Sequence, residues 1–462
     1  MKRRNLALMA GASAAALKFG MPRARAAADP SLLTTTLTPM GGERAGNADG
    51  SIPAWTGGFT TLPAGWQPGV AQPMPDFFAS EQPVVVIDAS NMAEHADRLS
   101  EGTMAMMTKY GFSIKVYPTH RTACAPQWVY DNIAANVTRA VPSPKGITWG
   151  FRNAYGGIPF PIPDTSDPFM AGAQIIWNHN ARWWGYSYQS NTYSIVINDG
   201  VPVVSALSYE QSNYPYYDQT GSLATYSGLI SQQIATQNAP ANIRGQQIDS
   251  WIYSDPSAHA EDVWEVLQGQ GRIRKAPEVS YDTPSQYLDG VTNYDEYYGF
   301  NNSLQKYLWK YITKKEMYIP YNCNGMVLVP YQNVLMPHFA NPDIVRWELH
   351  RVWQVEATLA PGERNVLARR MLYVDEDTFT CAVVDAWDAN GNLFHINHSY
   401  QSCRPDVPGS MWMNDAIYNL QTDDYAMASG SFNEQASPSI IWNKPYPESD
   451  YNPEVMTANS QY

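Results

Sequence analysis

The sequence contains none of the short motifs that mark the common catalytic and nucleotide-binding sites. It has no G-x-S-x-G nucleophile elbow, no H-E-x-x-H zinc motif, no P-loop and no G-x-G-x-x-G dinucleotide fingerprint. Sites of these kinds are therefore excluded. We predict a protein that is not an enzyme, with no catalytic residues, no cofactor and no metal ion.

Positive charge is also scarce. Lys and Arg number 30 against 43 Asp and Glu, which gives a formal net charge of −13 at neutral pH. A chain with this balance repels the phosphates of nucleic acids. Nucleic acid is therefore excluded as a partner.

Cysteine is rare, and its spacing excludes two kinds of site. The four cysteines include no C-x-x-C pair, so neither a thioredoxin-like redox site nor a zinc ribbon is indicated. In an oxidising compartment they could form two disulfides. Cys381 and Cys403 flank a predicted hairpin, which favours their pairing and leaves Cys124 with Cys323. All three connectivities remain open.

No apolar run is long enough to span a membrane comfortably. Residues 1–28 instead have the basic start, short apolar stretch and A-x-A exit of a cleaved secretory signal peptide. Arg3 and Arg4 also fit a twin-arginine signal. The first cysteine is Cys124, far beyond the cleavage region, so an acylated anchor is not expected. We predict a soluble periplasmic protein after signal cleavage.

Aromatic residues and turn formers are what the sequence has in abundance. It contains 30 Tyr, 15 Trp, 34 Pro and 31 Gly. Aromatic strands separated by Gly and Pro turns are typical of β-rich proteins. Most of these aromatic side chains are expected in the core, and some could line a pocket for an apolar or sugar-like ligand.

The chain is predicted to have two parts after the signal peptide. Residues 29–85 are rich in Gly, Pro and Thr and are expected to form an extended arm held by Trp55. Residues 86–462 are expected to form a single β domain with insertions. Within it, a helix is predicted over residues 91–109, ended by Gly111.

Strand patterns dominate from about residue 172 onward. Residues 193–204 predict a hairpin turning at Asp199-Gly200, and residues 263–275 predict a second. Residues 345–359 alternate apolar and polar side chains, which predicts a long strand with one apolar and one solvated face. Further strands follow after short turns. We predict an antiparallel meander that packs on another layer or curls into a partial barrel.

The apolar face of that long strand is the first candidate ligand surface, and a tryptophan-rich segment is the second. A ligand headgroup could be held by polar side chains of the second, although a core-edge cluster is the simpler interpretation. The candidates are Trp347, Leu349, Trp353 and Val355 on the strand, with Trp177, His179, Arg182, Trp183 and Trp184 in the segment.

Two polar clusters are interpreted as structural. His395 and His398 lie three apart in a predicted strand, so their side chains should point to opposite faces and cannot bind one metal ion. The acidic run at residues 375–377 is expected to be a solvated turn. This acidic run therefore does not indicate the carboxylate pair of a glycoside hydrolase.

Seven stretches resemble one family across nearly the whole chain after residue 28. They are 47–58 (NADGSIPAWTGG), 116–123 (VYPTHRTA), 156–163 (GGIPFPIP), 172–185 (GAQIIWNHNARWWG), 272–284 (RIRKAPEVSYDTP), 314–322 (KKEMYIPYN) and 351–378 (containing VWQVEATLAPGERNVLARRMLYVDEDT). Together they resemble the domain-of-unknown-function 1329 (DUF1329) family of Gram-negative bacteria.

The resemblance implies a fold class and partners. It implies a mainly β (α+β) protein: a large curved antiparallel sheet or incomplete barrel, similar to the lipoprotein carriers LolA and LolB and covered by a few helices. It also implies a resistance-nodulation-division exporter and an outer-membrane protein as partners. No catalytic residues carry over from the family.

These observations lead to one leading hypothesis and two alternatives. The leading hypothesis is a soluble periplasmic carrier of a lipid-like or other hydrophobic molecule. The first alternative is a periplasmic enzyme acting on a polysaccharide or hydrophobic substrate. The second is an adaptor that links an exporter to an outer-membrane partner.

Overall fold

A computed structural model describes residues 28–267, 269, 272–276, 281–432 and 440–459. The predicted signal peptide lies outside these residues except for Ala28. No helix within the described part of the chain has the length and apolar character needed to cross a membrane.

Strands make up most of the regular structure. Their bounds are β1 Val85–Ile87, β2 Ile114–Tyr117, β3 Val141–Ser143, β4 Gly146–Arg152, β5 Ser187–Asn198, β6 Val201–Asn213, β7 Leu229–Ala239, β8 Gln247–Tyr253, β9 Asp262–Val266, β10 Ile273–Lys275, β11 Tyr307–Pro320, β12 Trp347–Leu359, β13 Arg369–Asp375, β14 Cys381–Trp387, β15 Leu393–Arg404, β16 Gly409–Asn419, β17 Tyr425–Gly430 and β18 Ile441–Trp442.

Helices are few and short. The α-helices of the described residues are α1 Glu101–Tyr110, α2 Gln127–Arg139, α3 Pro168–Asn180, α4 Tyr331–Val334 and α5 Pro453–Asn459. Single turns of 3-10 helix lie between several strands, among them Gln286–Leu288, Tyr294–Glu296 and Leu304–Lys306.

Sixteen of these strands form one large sheet. Its main path runs β1-β2-β12-β13-β14-β15-β16-β17-β5-β6-β7-β8-β9-β10, while β11 pairs with β12 and β18 pairs with β5. All pairs are antiparallel except the short pairing of β2 with β12. The end strands β1 and β10 do not pair with each other, so the sheet is open. The predicted class, a large antiparallel sheet with few helices, is confirmed.

Both predicted hairpins are present. β5 and β6 meet with Asn198 opposite Val201, and the turn residues Asp199 and Gly200 both have positive φ, as a tight two-residue hairpin turn requires. β9 and β10 pair with Val266 opposite Ile273. Local turn chemistry therefore predicts these parts of the sheet correctly.

The predicted helix over residues 91–109 is divided in two. Met92–Arg98 is a 3-10 helix, and α1 begins after Ser100, whose hydroxyl oxygen accepts a hydrogen bond from the Thr103 N–H at 3.0 Å. This serine is an N-cap in the middle of the predicted helix, so it starts a new helix there. Gly111, with φ 68°, ends α1 as predicted.

The sheet is buried on both faces where β12–β16 lie. On β14, Val383 belongs to a core with α1, while the next residue, Val384, belongs to a second core with α2 and α3. Successive strand residues point to opposite faces, so helices cover both sides here. The prediction of a solvated face on β12 is therefore wrong: Glu348 and His350 are buried and hydrogen-bonded to each other at 3.1 Å.

Residues 28–84 contain one 3-10 helix, Pro30–Thr34, and otherwise run over the sheet without regular strands. The Trp55 indole N–H donates to the Ala123 carbonyl at 2.9 Å, and the Arg44 guanidinium lies 5.1 Å from the centroid of the Trp55 ring. Buried ion pairs add to this attachment. The Arg121 guanidinium donates to the Asp377 carboxylate at 2.6 and 2.7 Å and to the Glu43 carbonyl at 2.7 Å.

The acidic residues 375–377 are part of this attachment. All three are buried, at 0–2% exposure, so the prediction of a solvated turn is wrong. Asp377 faces Arg121, and Glu376 faces Arg351 and Lys314, which come from other parts of the chain. Sequence patterns show the carboxylates but not the cations that fold against them.

Asp249 on β8 leads to a pH prediction. It is fully buried and forms no ion pair with a described residue, and burial raises the pKa of its carboxyl group from 3.8 to about 8. Between these two pKa values the folded state holds a proton that the unfolded chain has lost. The contribution of Asp249 to the free energy of unfolding is therefore most favourable below about pH 4, and it is lost as the pH rises towards 8.

We expect Asp249→Asn to remove this pH dependence. From pH 5 to pH 7 the wild-type protein should lose about 2–3 kcal/mol of unfolding free energy relative to the variant, since each pH unit contributes about 1.4 kcal/mol. Urea unfolding at the two pH values measures the difference. Asp131→Asn, on the exposed side of α2, is the control and should leave the pH dependence unchanged.

Candidate functional site

Three adjoining cavities lie between one face of strands β5–β9 and a segment that covers it. This segment, residues 281–306, is called the cover. The cavities have volumes of about 320, 130 and 50 Å³ and are called the first, second and third chambers. Asn301 of the cover lines all three. Small-molecule ligands usually occupy cavities of about 300–1,000 Å³, so the chambers have the size of a ligand site.

The first chamber is mainly aromatic and aliphatic. Trp149 of β4 and Trp177 of α3 form one part of the wall, and Ile252 and Val263 of the sheet form another. Trp177 is fixed in place because its indole N–H donates to the Ile147 carbonyl at 2.6 Å. The remaining lining residues are Asn180, Tyr253, Pro256, Ala260, Glu261, Tyr281, Asn301, Asn302, Ser303 and Gln305.

The second chamber is more polar. Strands β5–β8 supply Ser194, Ser208, Glu210, Gln233, Ala235, Gln237, Ile248 and Ser250, and the cover supplies Tyr287, Tyr294, Tyr297 and Tyr298. Several of these groups bond to one another. The Ser208 hydroxyl donates to Gln237 Oε1 at 2.6 Å, and the Thr192 hydroxyl donates to Glu210 Oε1 at 2.9 Å. The wall is therefore polar, and several of its side chains already have hydrogen-bond partners.

Period-two alternation brings these polar side chains to one face. Gln233, Ala235 and Gln237 of β7 line the second chamber, while Ile234 between them packs on the opposite face against Tyr451. Polar residues at alternate positions are usually interpreted as a solvated face. These residues could not be predicted as a site from the sequence, because nothing local indicates that a distant segment covers them.

The cover is held to the sheet by buried charges. Arg370 of β13 donates to the Asp295 carboxylate, and both side chains are almost fully buried. His395 of β15 lies 2.7 Å from the Glu296 carboxylate through its Nδ1. At the other end of the cover, the Ser205 hydroxyl donates to the Tyr287 carbonyl at 2.6 Å. These bonds hold the cover in place over the chambers.

The third chamber contains two of the predicted ligand residues, of which Arg182 was also predicted to hold a headgroup. Arg182 and Trp184, which follow α3, line it together with Asn180, Ser212, Tyr214, Ser231, Gln233, Ile252, Tyr298, Phe300 and Asn301. The Arg182 guanidinium lies 3.9 Å from the Trp184 ring centroid. A cation stacked on an indole in this way keeps one face of the guanidinium in place.

His179 positions Arg182 but does not line a chamber. Its Nδ1 is 3.1 Å from both the Cys381 N–H and Arg182 Nη1, and its Nε2 is 3.0 Å from the Phe300 carbonyl. Nδ1 also lies 2.9 Å from the Phe379 carbonyl, so each ring nitrogen has a backbone carbonyl within hydrogen-bond distance. Burial, and then the Arg182 charge, hold the pKa of His179 well below its usual range.

The other predicted ligand residues lie in the cores. Trp347 and Leu349 belong to the core with α1, whereas Trp353 and Val355 belong to the core with α3. The four therefore do not form one ligand wall. Trp183 packs against Tyr217, with ring centroids 5.0 Å apart, and its indole donates to the Pro408 carbonyl. None of these five residues lines a chamber.

The predicted disulfides are absent. All four cysteines are free and buried, so the pairings Cys381–Cys403 and Cys124–Cys323 are wrong for this structure. Val383 of β14 pairs with His398 of β15, and extending that register places Cys381 and Cys403 about 10 Å apart along the strands. Disulfides require Cα atoms closer than about 7 Å. Burial raises the pKa of Cys124 to about 12, so this thiol is protonated at neutral pH.

Histidines 395 and 398 lie on opposite faces of β15. His395 contacts Glu296 of the cover, whereas His398 contacts the Thr103 hydroxyl of α1 at 3.2 Å. Burial lowers the pKa of His398 to about 3. The two imidazoles therefore contact different segments, on opposite faces of the sheet.

Among the described residues, one group has donor atoms close enough to hold a metal ion. His350, Asp375 and Asp377 have potential ligand atoms within 4.8 Å of one another, a proximity that the sequence analysis did not find. Both Asp377 oxygens accept hydrogen bonds from Arg121, however. A cation already neutralises this carboxylate, so the group fits an ion-pair network better than a metal site.

Together the fold and the chambers define a class of protein: an open antiparallel sheet with ligand-sized cavities between one of its faces and a covering segment. The chain belongs to the DUF1329 family of proteins of unknown function, because the family model matches residues 86–457. The predicted family membership is confirmed.

A relative and two solved structures extend this comparison. The "Uncharacterized protein PA3922" of Pseudomonas aeruginosa is 33% identical over 99% of both chains. A putative outer membrane lipoprotein-sorting protein domain from Vibrio parahaemolyticus is 14% identical, with a TM-score of 0.43 over 63% of this chain and 99% of that one. A LolA superfamily protein from Nitrosomonas europaea is 10% identical, with a TM-score of 0.35 over 62% and 98%.

Proposed function

We propose that this protein binds a lipid-like molecule in the three chambers and carries it without chemical change. The observation that carries the proposal is the covered cavity itself, whose first chamber of about 320 Å³ has an aromatic and aliphatic wall. Burying an apolar chain there is favourable by about 0.8 kcal/mol for each methylene group. Binding of this kind requires no catalytic residue.

The chambers fit an amphipathic ligand better than a purely apolar one. The second chamber offers Gln233, Gln237, Ser250 and the cover tyrosines, all of which can bond to hydroxyl or carbonyl groups. Polar groups in such a cavity would cost free energy if an apolar ligand covered them. The apolar body therefore belongs in the first chamber and the polar end beyond it.

We propose the periplasm as the compartment and an envelope transport system as the context. The signal-like residues 1–28 support export. The exporter and the outer-membrane partner rest on the family resemblance alone. Affinity capture from cross-linked periplasm, followed by mass spectrometry, tests both partners.

Filling the cavity where the first and second chambers meet should abolish ligand binding. Val263→Trp places a large side chain on the wall that these two chambers share, and we expect the bound fraction to fall at least about tenfold. Native mass spectrometry of protein purified from a Gram-negative host measures that fraction and the ligand mass. Ala224→Trp, at an exposed position outside the chambers, is the matched control and should retain the ligand.

Two results would contradict the proposal. One is wild-type protein that carries no ligand and binds no fatty acid, phospholipid or fluorescent apolar probe after delipidation. The other is a Val263→Trp variant that still melts cooperatively and binds as well as the control. Thermal unfolding of both variants separates lost binding from lost folding.

One observation favours an enzyme as the second candidate. Glu210 and Glu261 line the same chamber, and burial, followed by the charge of Asp262, raises the pKa of Glu261 to about 7. A carboxylic acid with such a pKa can act as a general acid near neutral pH. Turnover of a glycoside or ester library that is lost in Glu261→Gln, with ligand binding retained, would favour this function over the carrier.

The adaptor alternative has less support. The most exposed large apolar side chains include Val84 before β1, Phe169 of α3, and Val201 and Val203 of β6, so most of them come from separate parts of the chain. A protein docking site is expected to be a continuous patch. A ligand-sized interior is not needed by an adaptor, whereas a carrier requires one.

A further inference from the structure

Arg182 is a buried cation without a carboxylate partner. Its side chain is 5% exposed, and no Asp or Glu oxygen of the described residues lies within 4.0 Å of it. Nη1 donates to the His179 carbonyl at 2.5 Å, but Nη2 has no hydrogen-bond partner among those residues. Every other arginine as buried as this one, such as Arg370 and Arg404, forms an ion pair.

An unpaired buried cation is costly, because the low-dielectric interior replaces little of its hydration. Burial lowers the pKa of Arg182 to about 10, so the guanidinium keeps its charge at neutral pH. The stack on Trp184 and the bonds to His179 hold it in place without neutralising it. The side chain is thus positioned beside a cavity with no carboxylate in direct contact with its charge.

Asp415 is the acidic side chain that interacts with Arg182 over a longer distance, and it is already engaged. Its oxygens accept hydrogen bonds from the Ser399 hydroxyl and the Tyr298 N–H. Burial raises the pKa of its carboxyl group to about 6. The missing counter-charge must therefore come from outside these residues.

We propose that Arg182 binds the carboxylate of an acyl-chain ligand that occupies the chambers. This inference rests on the proposed function and names its substrate class. The third chamber has about 50 Å³, which is room for about three or four water-sized groups. A carboxylate has three heavy atoms, whereas a phosphate monoester has five. The size of the chamber thus favours the carboxylate.

The chambers also give the ligand an orientation. Asn180, Ile252 and Asn301 line both the third chamber and the first, so these two cavities adjoin directly. With its carboxylate at Arg182, the apolar chain passes these residues into the first chamber. Trp149 and Trp177 then contact the chain. One charged end and one aromatic end define the polarity of the site.

Hexadecanoate, hexadecanol and hexadecyl phosphate test this assignment in the wild-type protein. At pH 8, displacement of a fluorescent apolar probe should show hexadecanoate binding at least about tenfold more tightly than either other ligand. Equal binding of hexadecanoate and hexadecanol would overturn the role of Arg182 and leave the proposed function intact. Tighter binding of hexadecyl phosphate would overturn the assignment of a carboxylate as the ligand headgroup.

Two further arms separate the proposals. If none of the sixteen-carbon ligands binds, the proposed function fails and the assignment fails with it. Acetate distinguishes a free small carboxylate from a lipid. Displacement of hexadecanoate by micromolar acetate would support a carboxylate site at Arg182 and contradict a lipid-like ligand.

Variants at position 182 complete the test. Arg182→Gln should equalise hexadecanoate and hexadecanol, Arg182→Lys should keep part of the preference, and Arg244→Gln, at an exposed loop position, should change neither. Removing an unpaired buried charge lowers the desolvation cost, so Arg182→Gln is expected to fold. Unchanged preference in a folded Arg182→Gln variant would overturn the assignment.

Discussion

Replacing Arg121 by alanine is expected to lower the unfolding free energy by about 3–5 kcal/mol, because the change leaves buried carboxylates without their cation. Arg121 forms two hydrogen bonds to Asp377 and lies 3.5 Å from a Glu376 oxygen, and these three side chains are each about 2% exposed. The Arg121 guanidinium also donates to the Glu43 carbonyl. One substitution thus disturbs both the ion pair and the attachment of residues 28–84.

Urea unfolding, followed by tryptophan fluorescence, measures this loss. Arg98→Ala is the matched control, since Arg98 pairs with Glu316 at 3.4 Å while both side chains remain about 30% exposed. An exposed pair contributes about 0–1 kcal/mol. Equal destabilisation by the two variants would show that the Arg121 network is not the buried ion pair described above.

Replacing Arg370 by methionine is the second change with a large expected effect, again about 3–5 kcal/mol. Arg370 donates to the Asp295 carboxylate of the cover and to the Tyr307 hydroxyl at 3.2 Å. Without the guanidinium, burial would raise the pKa of Asp295 further than it already does. The cover would then be held less firmly, so we also expect faster release of a bound ligand.

The neighbouring residue offers a close control. Arg369 pairs with Glu356 at 2.8 Å, but its side chain is 40% exposed, so Arg369→Met should cost about 1 kcal/mol or less. Stopped-flow displacement of a fluorescent probe measures release. If Arg370→Met weakens the fold but leaves the release rate unchanged, the ion pair does not control the cover.

A double variant separates the charge from the packing. Arg370→Met combined with Asp295→Asn removes both charges and leaves a neutral amide in the same place. We expect it to regain about 1–3 kcal/mol relative to Arg370→Met, because no buried charge remains unpaired. A double variant no more stable than Arg370→Met would assign the loss to packing instead.

The parts of the fold that depend on nearby residues were predictable. The Asp199-Gly200 turn determines the β5–β6 hairpin, and Gly111 determines the end of α1. The parts that depend on distant residues were not. Glu376 and Asp377 belong to a pattern that usually faces solvent, but Lys314 and Arg121 approach them from elsewhere in the chain. A linear pattern cannot show which cations fold against it.

The candidate site follows the same division. Trp177, Arg182 and Trp184 were predicted because they lie in one dense segment that the fold places beside the chambers. Gln233 and Gln237 were missed because the cover that encloses them lies far away in the chain. Trp347 and Trp353 were assigned to one surface by alternation, yet they belong to two different cores, because the alternation is not regular along β12.

The pairing of β5 with β17 has a consequence for how the protein is made. Ile197 pairs with Tyr425, which is synthesised much later. A ribosome working at about 5–20 residues per second reaches Tyr425 roughly 10–50 seconds after Ile197. During that interval one edge of the nascent β5–β10 meander has no strand beside it, and such edges promote aggregation. Biosynthesis of this sheet therefore depends on the time for which its unfinished edge is shielded.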